Sequence, residues 1–508
     1  MIDTQAIRTK ILDLAMRGKL TEQLPEDGTA EELYRHLRKQ KKDIENSGVL
    51  KGRRKKVILQ LDDVDFPFPI PATWKWIRLE CIAEIFGRIG FRGYTKNDIV
   101  EQGKGAISLS PSNITIDGKC VYDKCTYITW EKYEESPEIM VAEEDLIIVK
   151  TGSSYGKCGV VKALPEKATI NPQLALLKYI LCDRSYLHTV LISTMARKQY
   201  EEFVVGAATP TFSQEDLANF ILPLPPLAEQ KRIVERIEQA FSVLDTIDAL
   251  QTQYADNLTV LKSKLIDSAI HGKLTEQLPK DGTAEELYQQ IQAEKTRIIK
   301  ERNGRVDKGI KAVDEDVPYL IPTHWKWIRF GDVGLFKKGP FGSALTKSMF
   351  VPKSTNAIKV YEQQHAIKKD PTLGTYYISE DYFRDRMKGF EVQSGDIIIS
   401  CAGTIGETYV MPDGIEPGII NQALMRVTLA SGINKKFFQH YFDSRLKSSA
   451  KAGNGSAIVN IPPFDVIKNW YFPLPPLAEQ NRIVDRLTEL LAVCDELKVR
   501  DNLKSFLS

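Results

Sequence analysis

Three stretches of the chain are each stated twice. Residues 18–34 read GKLTEQLPEDGTAEELY and residues 272–288 read GKLTEQLPKDGTAEELY, alike at sixteen of seventeen positions across a spacing of 254. PLPPLAEQKRIVERI at 223–237 recurs as PLPPLAEQNRIVDRL at 473–487, and IPATWKWIRL at 70–79 answers IPTHWKWIRF at 321–330. The repeat confines a 508-residue chain, too long for one core, to two copies of one plan.

Each half runs head segment (GKLTEQLP), basic linker, IPxxWKWIR, divergent body, tail segment (PLPPLAEQ) and helix. The central block, about 223–300, joins a tail to a head, while the N-terminus carries only a head and the C-terminus only a tail. Laid side by side, the terminal segments would make a second central block and give the chain approximate two-fold symmetry.

The central block reads as a long helix. Pro225 and Pro226 end a strand and open the helix, because proline is tolerated in a first turn and not in an interior. Leu227, Val234 and Phe241 then follow one heptad track, and Ile237, Leu244, Leu258 and Leu265 another, with Asp248 and Gln251 interrupting the seam. The C-terminal copy repeats the pattern with Leu477, Val484 and Leu491, and with Leu487 and Cys494. Such a seam calls for a partner helix, the alternative being an ordinary amphipathic helix lying on a domain surface; two matched seams favour pairing, since each can supply the other's partner. In the head segments Gly18 and Gly272 are expected to end a helix, and Thr29 and Thr283 to cap the next, with Glu32 and Glu286 three residues on as in a capping box.

The bodies, about 61–224 and 312–474, mix short apolar runs (DLIIVK at 145–150, DIIIS at 396–400) with glycine-rich turns, which indicates an α+β fold. GSSYGKCGVV at 152–161 stands opposite GTIGETYV at 403–410, and INPQLA opposite INQALM, so the bodies are one fold with different loops. Basic and polar residues gather in loops suited to DNA: Arg88, Arg92 and Lys96, then Lys150, Ser153, Ser154 and Lys157 in the first body; Lys337, Lys338, Ser343 and Lys347 in the second. Lysine and arginine neutralise phosphates, while Ser110, Asn113, Tyr361, Gln363 and Thr404 are candidates for base edges or backbone. The basic runs at 38–56 and 295–305 read as solvated linkers or backbone contacts.

Net charge of +2 neither requires nor excludes a nucleic acid. Seven cysteines without a CxxC pair and six scattered histidines argue against zinc and for reduced thiols in a cytoplasmic protein. The start, MIDTQAIRTKILDLAMRGKL, lacks the apolar run of a signal peptide, and no segment is long enough to span a membrane. GSSYGKC has three residues, not four, before Gly-Lys and ends in cysteine, unlike a phosphate loop; NIPPF at 460–464 lacks the glycine-rich companion of a methyl-donor site. No catalytic, cofactor or metal constellation emerges.

PLPPLAEQ with Arg232, Ile233 and Val234, its repeat with Arg482, Ile483 and Val484, and the paired GKLTEQLP blocks resemble the DNA specificity subunit of Type I restriction-modification systems, over nearly the whole chain. The resemblance implies a non-catalytic subunit with an N-terminal helical segment and linker (1–60), a target recognition domain (61–224), a central helical region (225–311), a second target recognition domain (312–474) and a C-terminal helix (475–508). Each domain would read half of a split double-stranded target, with antiparallel helices as the ruler. Two modification subunits would dock on the helical regions and methylate adenine with S-adenosylmethionine. Two restriction subunits would add ATP- and Mg-dependent translocation and cleavage. On residues alone a second reading stays open: a helical scaffold whose two bodies bind protein partners.

Overall fold

The run DLIIVK forms the strand Leu146–Val149, and its lack of alternation has a simple cause: both faces are buried. Ile147 and Val149 point into the core between two sheets, while Leu146 and Ile148 point at helices. DIIIS behaves alike in Ile397–Ser400, with Ile398 on one side and Ile397 and Ile399 on the other. The computed structural model describes residues 1–47, 57–61, 64–88, 93–206, 208–302, 309–452 and 461–504, in two units, Met1–Gln251 and Thr252–Ser508.

In the first unit, Glu84–Phe86, Leu174–Lys178, Leu146–Val149 and Cys158–Val160 form, in that spatial order, an antiparallel four-stranded sheet. A second sheet orders Ile99–Val100, Thr126–Ile128, Ala106–Leu109, Ala168–Ile170 and Met140–Val141, with its middle pair parallel. The second unit repeats the plan. Gly334–Lys338, Leu424–Leu429, Ile397–Ser400 and Thr408–Val410 make one sheet; Tyr377–Ser379, Ala357–Tyr361, Gly418–Ile420 and Glu391–Val392 make the other, again with a parallel pair, Ala357–Tyr361 with Gly418–Ile420. In each unit KWIR of the WKWIR motif pairs antiparallel with the strand that opens the tail: Lys75–Arg78 with Ile221–Leu224, and Lys326–Arg329 with Tyr471–Leu474.

The tail continues as the central helix Leu227–Ile270, 44 residues long, and in the second unit as Leu477–Lys504. Within the first unit, the helix Thr4–Met16 runs antiparallel to the start of the central helix. Gln251 Nε2 donates to Ile2 O at 3.2 Å, Thr4 Oγ1 to Asp248 Oδ1 at 2.6 Å, and Arg8 Nη2 to Asp245 Oδ1 at 2.7 Å. Asp248 and Gln251, which break the apolar seam, are therefore its polar partners. Ile237 and Leu244 are buried along it, with Val234 and Phe241 half-buried. In the second unit Leu265, Ile266 and Ile270 pack with Val484, Leu487 and Leu491, Lys262 Nζ meets Asp495 Oδ1 at 2.5 Å, and Leu258 is buried nearby. Leu227 and Leu477, expected as inter-helix or subunit contacts, stay out of the inter-helix seam: they are 43% and 36% exposed, because the inner side of that first turn is taken by a glutamate and a glutamine.

Those two residues close a clamp in which head meets tail. Glu229 is buried and accepts from Trp74 Nε1 (2.8 Å), Gln23 Nε2 (2.8 Å) and Thr21 Oγ1 (3.1 Å). Gln230 donates to Pro225 O and accepts from Asp183 N, both at 2.9 Å. Arg232 forks onto Asp27 at 2.8 and 2.5 Å and holds that carboxyl below its usual range. The second unit repeats the set: Glu479 with Trp325 (2.9 Å) and Gln277 (3.1 Å), Gln480 with Pro475 O, and Arg482 on Asp281 at 3.0 and 2.6 Å. Gly18, at φ +64°, ends its helix where a Cβ would lie 2.4 Å from Pro71 Cγ; Gly272, at φ +68°, does so against Pro322. Thr29 and Glu32 form a full capping box, and Thr283 caps through Glu286 N alone.

Candidate nucleic-acid interface

The strand ends of each body gather the loops. In the first, Asn171 N donates to Leu109 O (2.9 Å), Lys150 N to Gln173 O (2.9 Å) and Gly152 N to Pro210 O (2.9 Å). These bonds bring Ser110, Lys150 and the hairpin carrying Ser153, Ser154 and Lys157 to one edge, beside exposed Gln173. Thr151 and Thr211 hydroxyls meet at 2.7 Å and tie the hairpin to the following segment. Burial lowers the pKa of the half-buried Lys150 ammonium, whose incomplete hydration makes an anionic partner more favourable. Lys96 lies exposed on another loop.

The second body builds the same edge from different residues. Asn421 N donates to Tyr361 O (2.9 Å), Cys401 N to Ala423 O (2.8 Å) and Gly339 N to Leu424 O (2.8 Å). Gln363 faces the Gly403–Thr404 turn, and its Oε1 is buried without a hydrogen-bond partner among the described residues. Thr404, Lys338, Ser343 and Lys347 are exposed and Lys337 half-buried. Asn171, Gln173, Asn421 and Gln422 are additions at this edge. Their signal in the sequence is the pair of matched stretches INPQLA and INQALM.

Three expected contacts are corrected by burial. Arg88 is 4% exposed; its Nε donates to Ile170 O and its Nη2 to Thr169 Oγ1, both at 3.0 Å, and burial lowers its pKa. Asn113 donates to Val121 O (3.0 Å) and Lys124 O (3.2 Å) while closing a cap with Ser110. Tyr361 is fully buried with its hydroxyl on Glu416 O at 2.7 Å, and burial raises its phenol pKa. Each holds the loops that others present. His365, which caps Glu362 and reaches Leu373 O at 2.6 Å, has the corresponding place to Asn113. Arg92 lies outside the described residues.

The supposed linkers are not all solvated. Lys41, in the helix Ala30–Asn46, is buried against Glu80 (2.9 Å) and Glu84 (3.1 Å), and Lys295 Nζ donates to Gly331 O at 2.6 Å; residues 48–56 and 303–308 lie outside the described set. GSSYGKC spans a hairpin between antiparallel strands, whereas a phosphate loop joins a strand to a helix; Asn460 of NIPPF is outside the described residues. Among the described residues, no group of three or more His, Cys, Asp or Glu is placed to hold a metal, and no helix is long and apolar enough to cross a membrane.

Comparison with known proteins agrees with this plan. The chain is 25% identical to the Type I restriction enzyme EcoAI specificity subunit of Escherichia coli, across 97% of this chain and 90% of that one. It is 23% identical to the EcoEI specificity subunit of the same species, with the same coverage. A solved chain of a type I R-M system superposes with a TM-score of 0.54 at 17% identity, covering 86% of this chain and 95% of its own, which shows a shared fold. The family model for the Type I restriction modification DNA specificity domain matches twice, at residues 71–253 and 322–504, so the chain belongs to that family of non-catalytic, DNA-binding specificity subunits.

Proposed function

We propose that the chain reads a bipartite double-stranded target, one half through each body, and directs partner subunits to it. The observation that carries this reading is one topology twice over, with different side chains at the same strand-end edge, on a chain whose middle is one continuous 44-residue helix. At about 1.5 Å per residue such a helix extends about 65 Å, a natural spacer. Each body would gain about 1–3 kcal/mol of discrimination per base pair, and joining two readers at fixed spacing adds their selectivity. Ser110, Lys150, Ser153, Ser154 and Lys157 would serve one half-site, with Lys96 on the backbone. Lys337, Lys338, Ser343, Lys347, Gln363 and Thr404 would serve the other.

Two modification subunits, carrying S-adenosylmethionine, would dock on the helical regions, and two restriction subunits, using ATP and Mg, would join them. Exposed apolar side chains support a docked partner: Val243 and Leu250 in the first unit, Val260, Leu261, Val493 and Leu497 in the second. Adenines to be methylated must leave the stack to reach a partner's pocket.

The test is to purify the chain with its modification subunits and map methylated adenines on genomic DNA. The expected result is one bipartite motif, changed in one half only when residues 61–224 are exchanged for those of a relative. A continuous motif would refute the spacer. No methylation and no sequence preference from an assembled complex would favour a protein-binding scaffold.

A further inference from the structure

Phe341 is 89% exposed, yet the loop that presents it is fixed at both ends. Before it, Gly339 N is bonded to Leu424 O at 2.8 Å, and a Cβ at Gly339 would lie 1.8 Å from Asn421 O, so the backbone presses directly on its neighbour. After it, Ala344 N returns to Phe341 O at 2.8 Å in the turn Gly342–Ala344, and the Tyr382 hydroxyl donates to Ala344 O at 2.8 Å. Leu345 then enters the core. A lone exposed apolar residue needs no explanation. An aromatic ring at the tip of a pinned loop is different, because the backbone that presents it is fixed before any partner arrives.

Beside the loop lies a cleft of about 980 Å³. Its charged lining residues are Lys337, Lys338 and Arg386, with no carboxylate among the described lining residues, and Gln422 of the strand-end edge shares the wall. Lys337 Nζ stands 4.6 Å from the Phe390 ring centre, which fixes its stem within the cleft. A polyanion with stacked bases satisfies both features: phosphates meet the cations, and a base step accepts the ring.

We propose that Phe341 is a wedge that enters the base stack at one step of the half-site read by the second body, with Lys338 and Arg386 on flanking phosphates. The inference rests on the DNA-reading function above and deepens it by naming a residue that selects on deformability instead of base-edge hydrogen bonds. The half-site would accordingly prefer a flexible pyrimidine–purine step at that place.

The experiment uses the full chain assembled with its modification subunits and target duplexes carrying 2-aminopurine at successive positions of that half-site. The wild-type complex should give a fluorescence rise at the wedge step besides any at the methylated adenine. Phe341→Ala should abolish only that rise and weaken binding about tenfold or more. A duplex mismatched at the step, already partly unstacked, should restore binding to within a few-fold, and Phe341→Trp should behave as wild type. Wild-type affinity and fluorescence from Phe341→Ala would overturn the wedge. Failure of Phe341→Ala to assemble would also overturn it, by making the ring a protein contact. A wild-type complex with no sequence-specific binding would remove the underlying function, a result visible before any variant is tested.

Discussion

Glu229 offers the sharpest test of the head–tail clamp. Its buried carboxylate accepts three hydrogen bonds, from Trp74, Gln23 and Thr21. Glu229→Gln keeps the shape but replaces one acceptor oxygen with an NH2 that must face an N–H donor. Turned toward Trp74, it loses one charge-assisted bond and demotes the other two to neutral ones. At about 1.5–3 kcal/mol for a bond to a charged group and about 1 for a neutral one, the loss is near 4 kcal/mol, and relief of carboxylate desolvation brings it to about 3. Glu479→Gln should cost about 1 kcal/mol less, because Glu479 accepts from Trp325 and Gln277, one bond fewer than Glu229 has among the described residues. At roughly 2–4 °C per kcal/mol for a unit of this size, Glu229→Gln should lower the melting transition by about 6–12 °C. Hydrogen exchange at peptides 18–34 and 272–288 would show which unit opens. A shift under about 2 °C, or a greater loss from Glu479→Gln, would refute the reasoning.

Gly18→Ala forces a Cβ into Pro71 at a left-handed φ and should cost about 2–4 kcal/mol, read by denaturant unfolding. Arg232→Ala leaves Asp27 unpaired and should cost about 1–3 kcal/mol near neutral pH. Because Arg232 depresses the folded pKa of Asp27, the contribution is present above the ordinary carboxylate pKa of about 3.9 and fades as pH falls through the lower folded value. Wild type and variant should therefore converge at low pH in unfolding curves. Asp256→Pro falls in the run 252–257 of the central helix, where every side chain is exposed, and breaks the helix at about 3 kcal/mol or more. Both units should keep their exchange protection; under the proposed bipartite reading, methylation of the target falls at least about tenfold, since two readers at loose spacing would lose their mutual reinforcement.

The duplication, the long helix, the glycine stops and the apolar strands were legible because each follows from local pattern: repeated text, heptads, turn chemistry and apolar runs. Where the candidate interface residues lie was legible only in part. Arg88 reads as a phosphate contact because it sits in a basic glycine-rich loop, yet it points inward to Ile170 O, a partner 82 residues away in sequence. Asn113 and Tyr361 were misplaced for the same reason: a polar residue after a strand reads as presented whether it faces solvent or braces the loop. Lys41 and Lys295, within runs that look solvated, are buried by partners that no local window contains. Non-local pairing decides which side of a loop a side chain takes.

The same distinction explains which parts of the chain stayed alike between its halves. The GKLTEQLP segments look like polar surface, and polar surface drifts freely. With the PLPPLAEQ segments they instead close a polar joint on the buried Glu229 and Glu479, in which Gln23 answers Glu229, Asp27 answers Arg232, and the second unit repeats both pairs with Gln277, Glu479, Asp281 and Arg482. Losing one member strands a charge or acceptor in the interior, at a cost that removing both does not incur. Neither segment can change alone. The strand-end edges change more: the brace Asn113 is matched by His365, and the hairpin with Ser153 and Ser154 by one with Thr404, while the bond of Asn171 N to Leu109 O is kept as that of Asn421 N to Tyr361 O. A frame that resists change carrying edges that differ is what the proposed function asks for, in which partners would dock alike while the target varies.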